Sequence, residues 1–266
     1  MCFMRYACGV EYDGYGFLGF QIQIQEPTIQ SCLEKAIAKV ANQPTRIHCA
    51  GRTDTGVSAS AQVIHFDTDV NRSEFQWIMG INSSLPQGIS LIWIKQVTED
   101  FHARFSAIQR SYRYVIFNRW IRPAINRHSI TWEKSPLDVE KMNNAAQYLQ
   151  GENDFNAFRS SNCQSHVSIK TINFIAVRRD DNYVILEVAA SGFLHHMIRN
   201  IIGTLLPVGR GEKPVSWLKE VLEGKDRTKA GVTAPPNGLS FNTVKYPKEF
   251  NLPEGSIPSQ YSEHEE

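Results

Sequence analysis

The chain has 266 residues, 42% hydrophobic and 21% charged, with a formal net charge of +1, a composition that suits a globular protein with a sizeable core and excludes a disordered or fibrous one. No run of about 18 apolar residues is present, so no membrane span is expected. The N-terminus, Met1-Cys2-Phe3-Met4-Arg5-Tyr6, passes straight into a strand-like pattern instead of a charged-then-apolar leader.

In chain order, Phe3 to Tyr12 reads as a strand, followed by the glycine-rich loop Asp13-Gly14-Tyr15-Gly16-Phe17-Leu18-Gly19-Phe20-Gln21. After Pro27, the residues Ile29, Cys32, Leu33, Ala36, Ile37 and Val40 fall on one helical face. Arg46 to Gly51 and Gln62 to Phe66 read as strands. Ser73 caps a helix running to about Ser83, with Phe75, Ile78, Met79 and Ile81 apolar, and Ile89 to Val97 alternates as a strand. The order is βαββαβ. The second half repeats it. Tyr112 to Asn118 is a strand; Ser135 caps a helix with Pro136 at its first position, and Gly151 stops it. Thr171 to Arg178 and Tyr183 to Ala189 form a hairpin. Leu194 to about Val208 and Val215 to Leu222 are helices, and Leu239 to Val244 closes the half with a strand.

This order predicts an α+β fold: two ferredoxin-like (RRM-like) βαββαβ halves side by side, forming one extended, mainly antiparallel sheet with helices on one face and a central RNA-binding cleft. The expected divisions are 1–104, 105–247 and an acidic extended tail, 248–266, with the join at Asp100 to Ala107.

Five scattered cysteines, Cys2, Cys8, Cys32, Cys49 and Cys163, make no C-x-x-C, which argues against a zinc or disulfide framework and for a reducing, cytoplasmic setting. The small net charge hides a layout. From Phe101 to Trp132 there is no acid but there are six arginines, Arg104, Arg110, Arg113, Arg119, Arg122 and Arg127, interleaved with Tyr112, Tyr114, Phe117 and Trp120. Arginine forks suit phosphate oxygens and aromatic rings stack on bases, so the stripe favours a nucleic-acid partner over a merely solvated strand edge. The last nineteen residues hold five glutamates against one lysine.

Three places offer chemistry. Asp54 in Ala50-Gly51-Arg52-Thr53-Asp54-Thr55-Gly56-Val57-Ser58-Ala59 is a carboxylate between two glycines, either an exposed acid on a sharp turn or an ordinary turn bonding its own backbone. Asp54-Thr55-Gly56 is also the D-T-G of aspartic proteases. That chemistry needs two carboxylates sharing a proton, whereas one D-T-G is present and Arg52 beside it would keep the acid ionised. In Phe193-Leu194-His195-His196-Met197-Ile198-Arg199-Asn200, consecutive histidines on a helix point about 100° apart, which disfavours a shared metal. Arg199 in that apolar helix either pairs with a carboxylate or reaches solvent. Tyr112, in Arg110-Ser111-Tyr112-Arg113-Tyr114, either stacks on a base or packs in the sheet.

In series these motifs resemble the tRNA pseudouridine synthase A family: Tyr12-Asp13-Gly14 with Gly19-Phe20-Gln21-Ile22-Gln23, Gly51-Arg52-Thr53-Asp54-x-Gly56-Val57, Phe101-His102-Ala103-Arg104-Phe105-Ser106-Ala107, Tyr112-Arg113-Tyr114, Gly151-Glu152-Asn153-Asp154-Phe155 and Phe193 to Asn200. The resemblance runs from Tyr6 to Tyr246. It implies an isomerase converting uridine to pseudouridine at positions 38, 39 and 40 of the tRNA anticodon stem-loop, without cofactor or metal, as a cytoplasmic homodimer. Asp54 would be the essential aspartate, Tyr112 the active-site tyrosine stacking on the base and Arg199 the ion-pair partner of Asp54. Arg52 would contact RNA, with Arg110 and Arg113 as further substrate-binding arginines. Thr55, Ser58 and Phe20 depart from the alanine, histidine and tryptophan usual in the family. A noncatalytic RRM-like RNA-binding protein on the same scaffold is the alternative.

Overall fold

The computed structural model describes residues 3–25, 27–165 and 167–253. The greater part of the expected acidic tail therefore lies outside the described residues. The chain is α+β, with mainly antiparallel strands, and forms two compact units. One takes the described residues up to Arg110 together with those from Ser240 on, and the other takes Ser111 to Leu239.

In the first unit β1 (Met4–Tyr12), α1 (Ile29–Ala41), β2 (His48–Cys49), β3 (Ser58–Thr68), α2 (Glu74–Asn82) and β4 (Ile89–Val97) follow the expected βαββαβ order. β1 lies between β4 and β3, antiparallel to both. Both helices begin on capping boxes, Thr28 with Ser31 and Ser73 with Gln76, which satisfy amide groups that the first turn leaves without partners. α1 buries Ile29, Leu33, Ala36 and Ile37, as its periodicity predicts. α2 differs. It buries Trp77 and Ile81, while Phe75 and Met79 are 71% and 56% exposed. Trp77 is selected by the aromatic rings beneath it, Tyr6 and Phe66, whose centroids lie 5.7 and 5.5 Å away.

The last strand, β10 (Leu239–Lys245), was expected to close the second half. From Ser240 onward it belongs instead to the first unit, pairing in parallel with β3 at Ser240–Ser58 and Phe241–Ala59. The expected join behaves likewise. Phe101 and Ala103 are fully buried. The Tyr246 hydroxyl donates to the Ala103 carbonyl at 2.6 Å and the Ile108 N–H to the Lys245 carbonyl at 2.9 Å. The segment is a packed part of the first unit, and the boundary falls after Arg110 rather than after residue 104.

His65 fastens that segment, its Nδ1 accepting the Ala103 N–H at 3.1 Å, so its ring must be neutral there. Burial, then the neighbouring His102, Arg5 and His48, pushes its pKa down to about 3. The sign follows. Above about pH 6.5 the ring is neutral in both folded and unfolded chains; below it the unfolded chain binds a proton that the folded one refuses, so stability falls as pH drops toward 3. Denaturant midpoints measured from pH 7 to 4.5 are expected to fall in the native chain and to flatten in His65→Gln. An identical fall in both would remove His65 as the cause.

In the second unit β5 (Gln109–Asn118), β6 (Thr131–Glu133), α3 (Val139–Ala146), β7 (Gly151–Asp154), β8 (Ile169–Asp180), β9 (Tyr183–Ala190), α4 (Met197–Gly209) and α5 (Trp217–Gly224) follow in turn. The strand order is β5-β9-β8-β7, with β6 beside β5. α3 starts later than expected. Asp138, not Ser135, is its cap, accepting the Lys141 N–H at 3.0 Å, because Ser135 is held outside the helix by its carbonyl's bond from Asn118. β7 pairs with β8 only from Ile169 to Ile172. Beyond it, two amide side chains of the α3 region meet the outer edge of β8. Asn143 Oδ1 accepts the Val177 N–H at 3.0 Å, and Gln147 Nε2 donates to the Ile175 carbonyl at 3.1 Å.

Candidate active site

Asp54 is half-buried at the tip of a loop running from β2 to β3. The turn closes through the Val57 N–H, which donates to the Asp54 carbonyl at 3.1 Å, and through Gly56 at φ +78, a left-handed conformation that glycine takes without a Cβ penalty. The loop is braced from three directions. On one side the Gly14–Phe20 loop lies backbone against backbone. The Phe20 N–H donates to the Thr53 carbonyl at 3.0 Å. At Gly19, φ is +84 and a Cβ would come within 2.9 Å of the Thr53 oxygen and 3.0 Å of the Thr55 nitrogen. On the second side Ser58 Oγ accepts the Gly14 N–H at 3.0 Å. Ser58 thereby ties the two loops together.

The third brace is buried. The Gln62 amide brackets Gly51, donating to its carbonyl at 2.6 Å and accepting its N–H at 3.3 Å. Its Nε2 also lies 3.4 Å from the Tyr12 hydroxyl, which shares a 2.8 Å hydrogen bond with Thr53 Oγ1. Gln62, Tyr12 and Thr53 are 0%, 2% and 7% exposed. Burial pushes the Tyr12 phenol far above its usual range, so it stays a neutral hydroxyl. Sequence reasoning missed this set. A glutamine inside the apolar run Gln62-Val63-Ile64-His65-Phe66 was the available signal, since a buried amide needs partners.

The candidate arginines of the first unit divide. Arg52 is exposed on the loop. Arg110 donates to the Ala50 carbonyl at 3.3 Å from both Nε and Nη2, and to the carbonyls of Ala107 and Arg104. It clasps the start of the Asp54 loop.

In the second unit Tyr112 is half-buried on β5, with Phe193 edge-on at 5.0 Å between ring centroids. Tyr114, expected on the same face, is fully buried, its hydroxyl donating to the Pro235 carbonyl at 2.8 Å. Arg113 donates from Nε and Nη2 to Glu187 on β9 at 3.0 and 2.7 Å, so it carries a carboxylate partner within its own unit. α4 begins at Met197, one turn fragment later than expected. His195 and His196 therefore precede the helix. With His196 at φ +61, their rings come to 3.9 Å between centroids, and the 100° helical separation does not apply to them. Arg199, half-buried in the first turn of α4, donates from Nε to the Ala234 carbonyl at 2.8 Å, while its own carbonyl accepts the Ala234 N–H at 3.1 Å. The stretch from Arg227 to Ala234 is laced to α4 throughout. Asn200 Oδ1 accepts from Arg227 and from Thr233, and the Gly231 N–H donates to Thr204.

The sequence matches the tRNA pseudouridine synthase family over residues 9–106 and 145–247. Relatives include tRNA pseudouridine synthase A of Hydrogenovibrio crunogenus, 50% identical over 247 residues, 93% of this chain and 94% of that protein. The tRNA pseudouridine synthase A of Pseudoalteromonas atlantica is 51% identical over 250 residues, 94% of this chain and 95% of that protein. Among solved structures, a chain in an H/ACA RNP bound to a substrate RNA containing 2'-deoxyuridine aligns over 76% of this chain and 44% of its own, at 14% identity and a TM-score of 0.35. The family match and these relatives define an RNA-modifying isomerase. More particularly, the chain belongs to the tRNA pseudouridine synthase family, enzymes that isomerise uridine to pseudouridine in tRNA. Among the described residues, no helix is long and apolar enough to cross a membrane.

Proposed function

We propose that this enzyme acts on uridines 38, 39 and 40 of the tRNA anticodon stem-loop, as a cytoplasmic homodimer that needs no metal or cofactor. The reaction breaks the C1′–N1 bond of the uridine, turns the base and forms a C1′–C5 bond; the proton on C5 is lost and N1 gains one, so the product is an isomer. Asp54 is the reacting carboxylate, as nucleophile or base, and Arg199 is its ion-pair partner. Tyr112 stacks on the target base, worth roughly 1–3 kcal/mol, and assists proton removal. Arg52 contacts the RNA as the base leaves its stem, a step that costs a few kcal/mol. Arg110 and Arg113 are further substrate-side arginines, the first acting through the start of the Asp54 loop, whose Ala50 carbonyl it holds. Water is kept from the open sugar, which it would otherwise trap.

One observation carries the reading: a half-buried aspartate, within the matched family motif, on a loop braced from three directions. Incubating the purified chain with unmodified tRNA in the presence of a chelator, then mapping pseudouridine by base, tests it. Pseudouridine at 38, 39 and 40 is expected. Product at other positions would overturn the site assignment, loss of product with chelator the metal-free one, and tRNA binding without product would favour the RRM-like alternative.

A further inference from the structure

Buried polar side chains cost stability unless every donor and acceptor is used. In the core of the first unit, Tyr12 at the end of β1 and Gln62 within β3 satisfy theirs on the Asp54 loop. Gln62 turns both ends of its amide to Gly51, and its second N–H reaches the Tyr12 oxygen, which bonds Thr53 in turn. Gly51 and Thr53 flank Arg52, and Thr53 is joined directly to Asp54. Two apolar residues would fill the same space without any need for partners. What they would not do is fix the two peptides before Asp54 to two rigid strands. Tyr12 and Gln62 sit on strands bonded to each other at Val10–Gln62 and Tyr12–Ala59, so the two tethers share one frame.

We infer that Tyr12 and Gln62 are positioning residues for the isomerisation, holding the Asp54 carboxylate at its working distance from the substrate through Thr53 and Gly51. The inference rests on Asp54 being the reacting group. Neither side chain needs to touch RNA. A displacement of about 1 Å in a reacting group costs up to about 100-fold in rate, so loosening a tether is expected to lower kcat and leave KM nearly unchanged.

The test uses the full chain and tRNA. Tyr12→Phe and Thr53→Val each remove one end of the same hydrogen bond and are expected to lower kcat by about 10- to 50-fold, with KM and tRNA affinity changed by less than about threefold. Combined, they should cost no more than either alone, because both break one tether. Thr53→Ser, which keeps the hydroxyl, is expected to recover most of the rate. Gln62→Leu, which removes the amide at similar volume, should lower kcat further. Thermal unfolding of each variant separates positioning from folding, and a loss of rate that tracks the unfolded fraction overturns the inference. So does an unchanged kcat in Tyr12→Phe. Asp54→Asn is assayed in parallel. If it stays active, the reading of Asp54 itself fails. If it is dead while Tyr12→Phe turns over normally, only the positioning role fails.

Discussion

Asp54→Asn is expected to abolish pseudouridine formation, by on the order of 10⁴-fold or more, the scale on which removal of a catalytic side chain acts, while leaving tRNA affinity within about threefold. Asparagine has the same shape, and the backbone of the loop is braced at several points besides Asp54. The braces run through Thr53, Gly51 and the Gly19 backbone, so the loop geometry survives the change. What is lost is the negative oxygen needed for attack or proton removal. Single-turnover assays with saturating enzyme, read beside filter binding, check both halves. Product at more than about one-hundredth of the native rate would show that another group carries the chemistry.

Gly203→Ala is expected to be the most damaging conservative change in the second unit. Gly203 lies in α4, where a Cβ would stand 1.7 Å from the Val232 carbonyl oxygen and 2.8 Å from its carbon. These are backbone atoms in a stretch laced to the helix through Asn200 and Thr204, so no side chain can swing aside. Helix and segment must part, and overpacking of this kind costs about 1–3 kcal/mol, occasionally more. A melting temperature lower by about 4–10 °C is expected. The shift also pulls Ala234 from Arg199, so turnover should fall beyond the loss of folded protein. A melting temperature within about 2 °C of native would mean that the segment relocates at little cost.

Much of the first unit was legible because its signals are local. The period of Ile29, Leu33, Ala36 and Ile37 and the cap at Ser73 act within a turn or two of chain. The strand at Ile89–Val97 has the bounds its alternation predicts, to the residue. What was not legible depends on partners far off in sequence. Trp77 outranks Phe75 and Met79 because Tyr6 and Phe66 wait beneath it. β10 returns to β3 across about two thirds of the chain, and no local pattern announces that. β6 and β7 are too short, at three and four residues, to show a period. Asp54 was picked out by its flanking glycines and its motif. The frame that holds it was missed because Tyr12 and Gln62 read as ordinary strand residues until their hydrogen bonds are traced.

The amides of Asn143 and Gln147 along β8 bear on how copies of this protein meet. A long strand with an open ladder is a template on which another chain can add, and repetition of that step leads to fibrils and precipitates. Here two side chains from a neighbouring helix and turn occupy the Val177 donor and the Ile175 acceptor, as a further strand would. A strand adding at that border would first have to displace these two amides, so two polar residues make the generic stickiness of bare backbone costlier to exploit there.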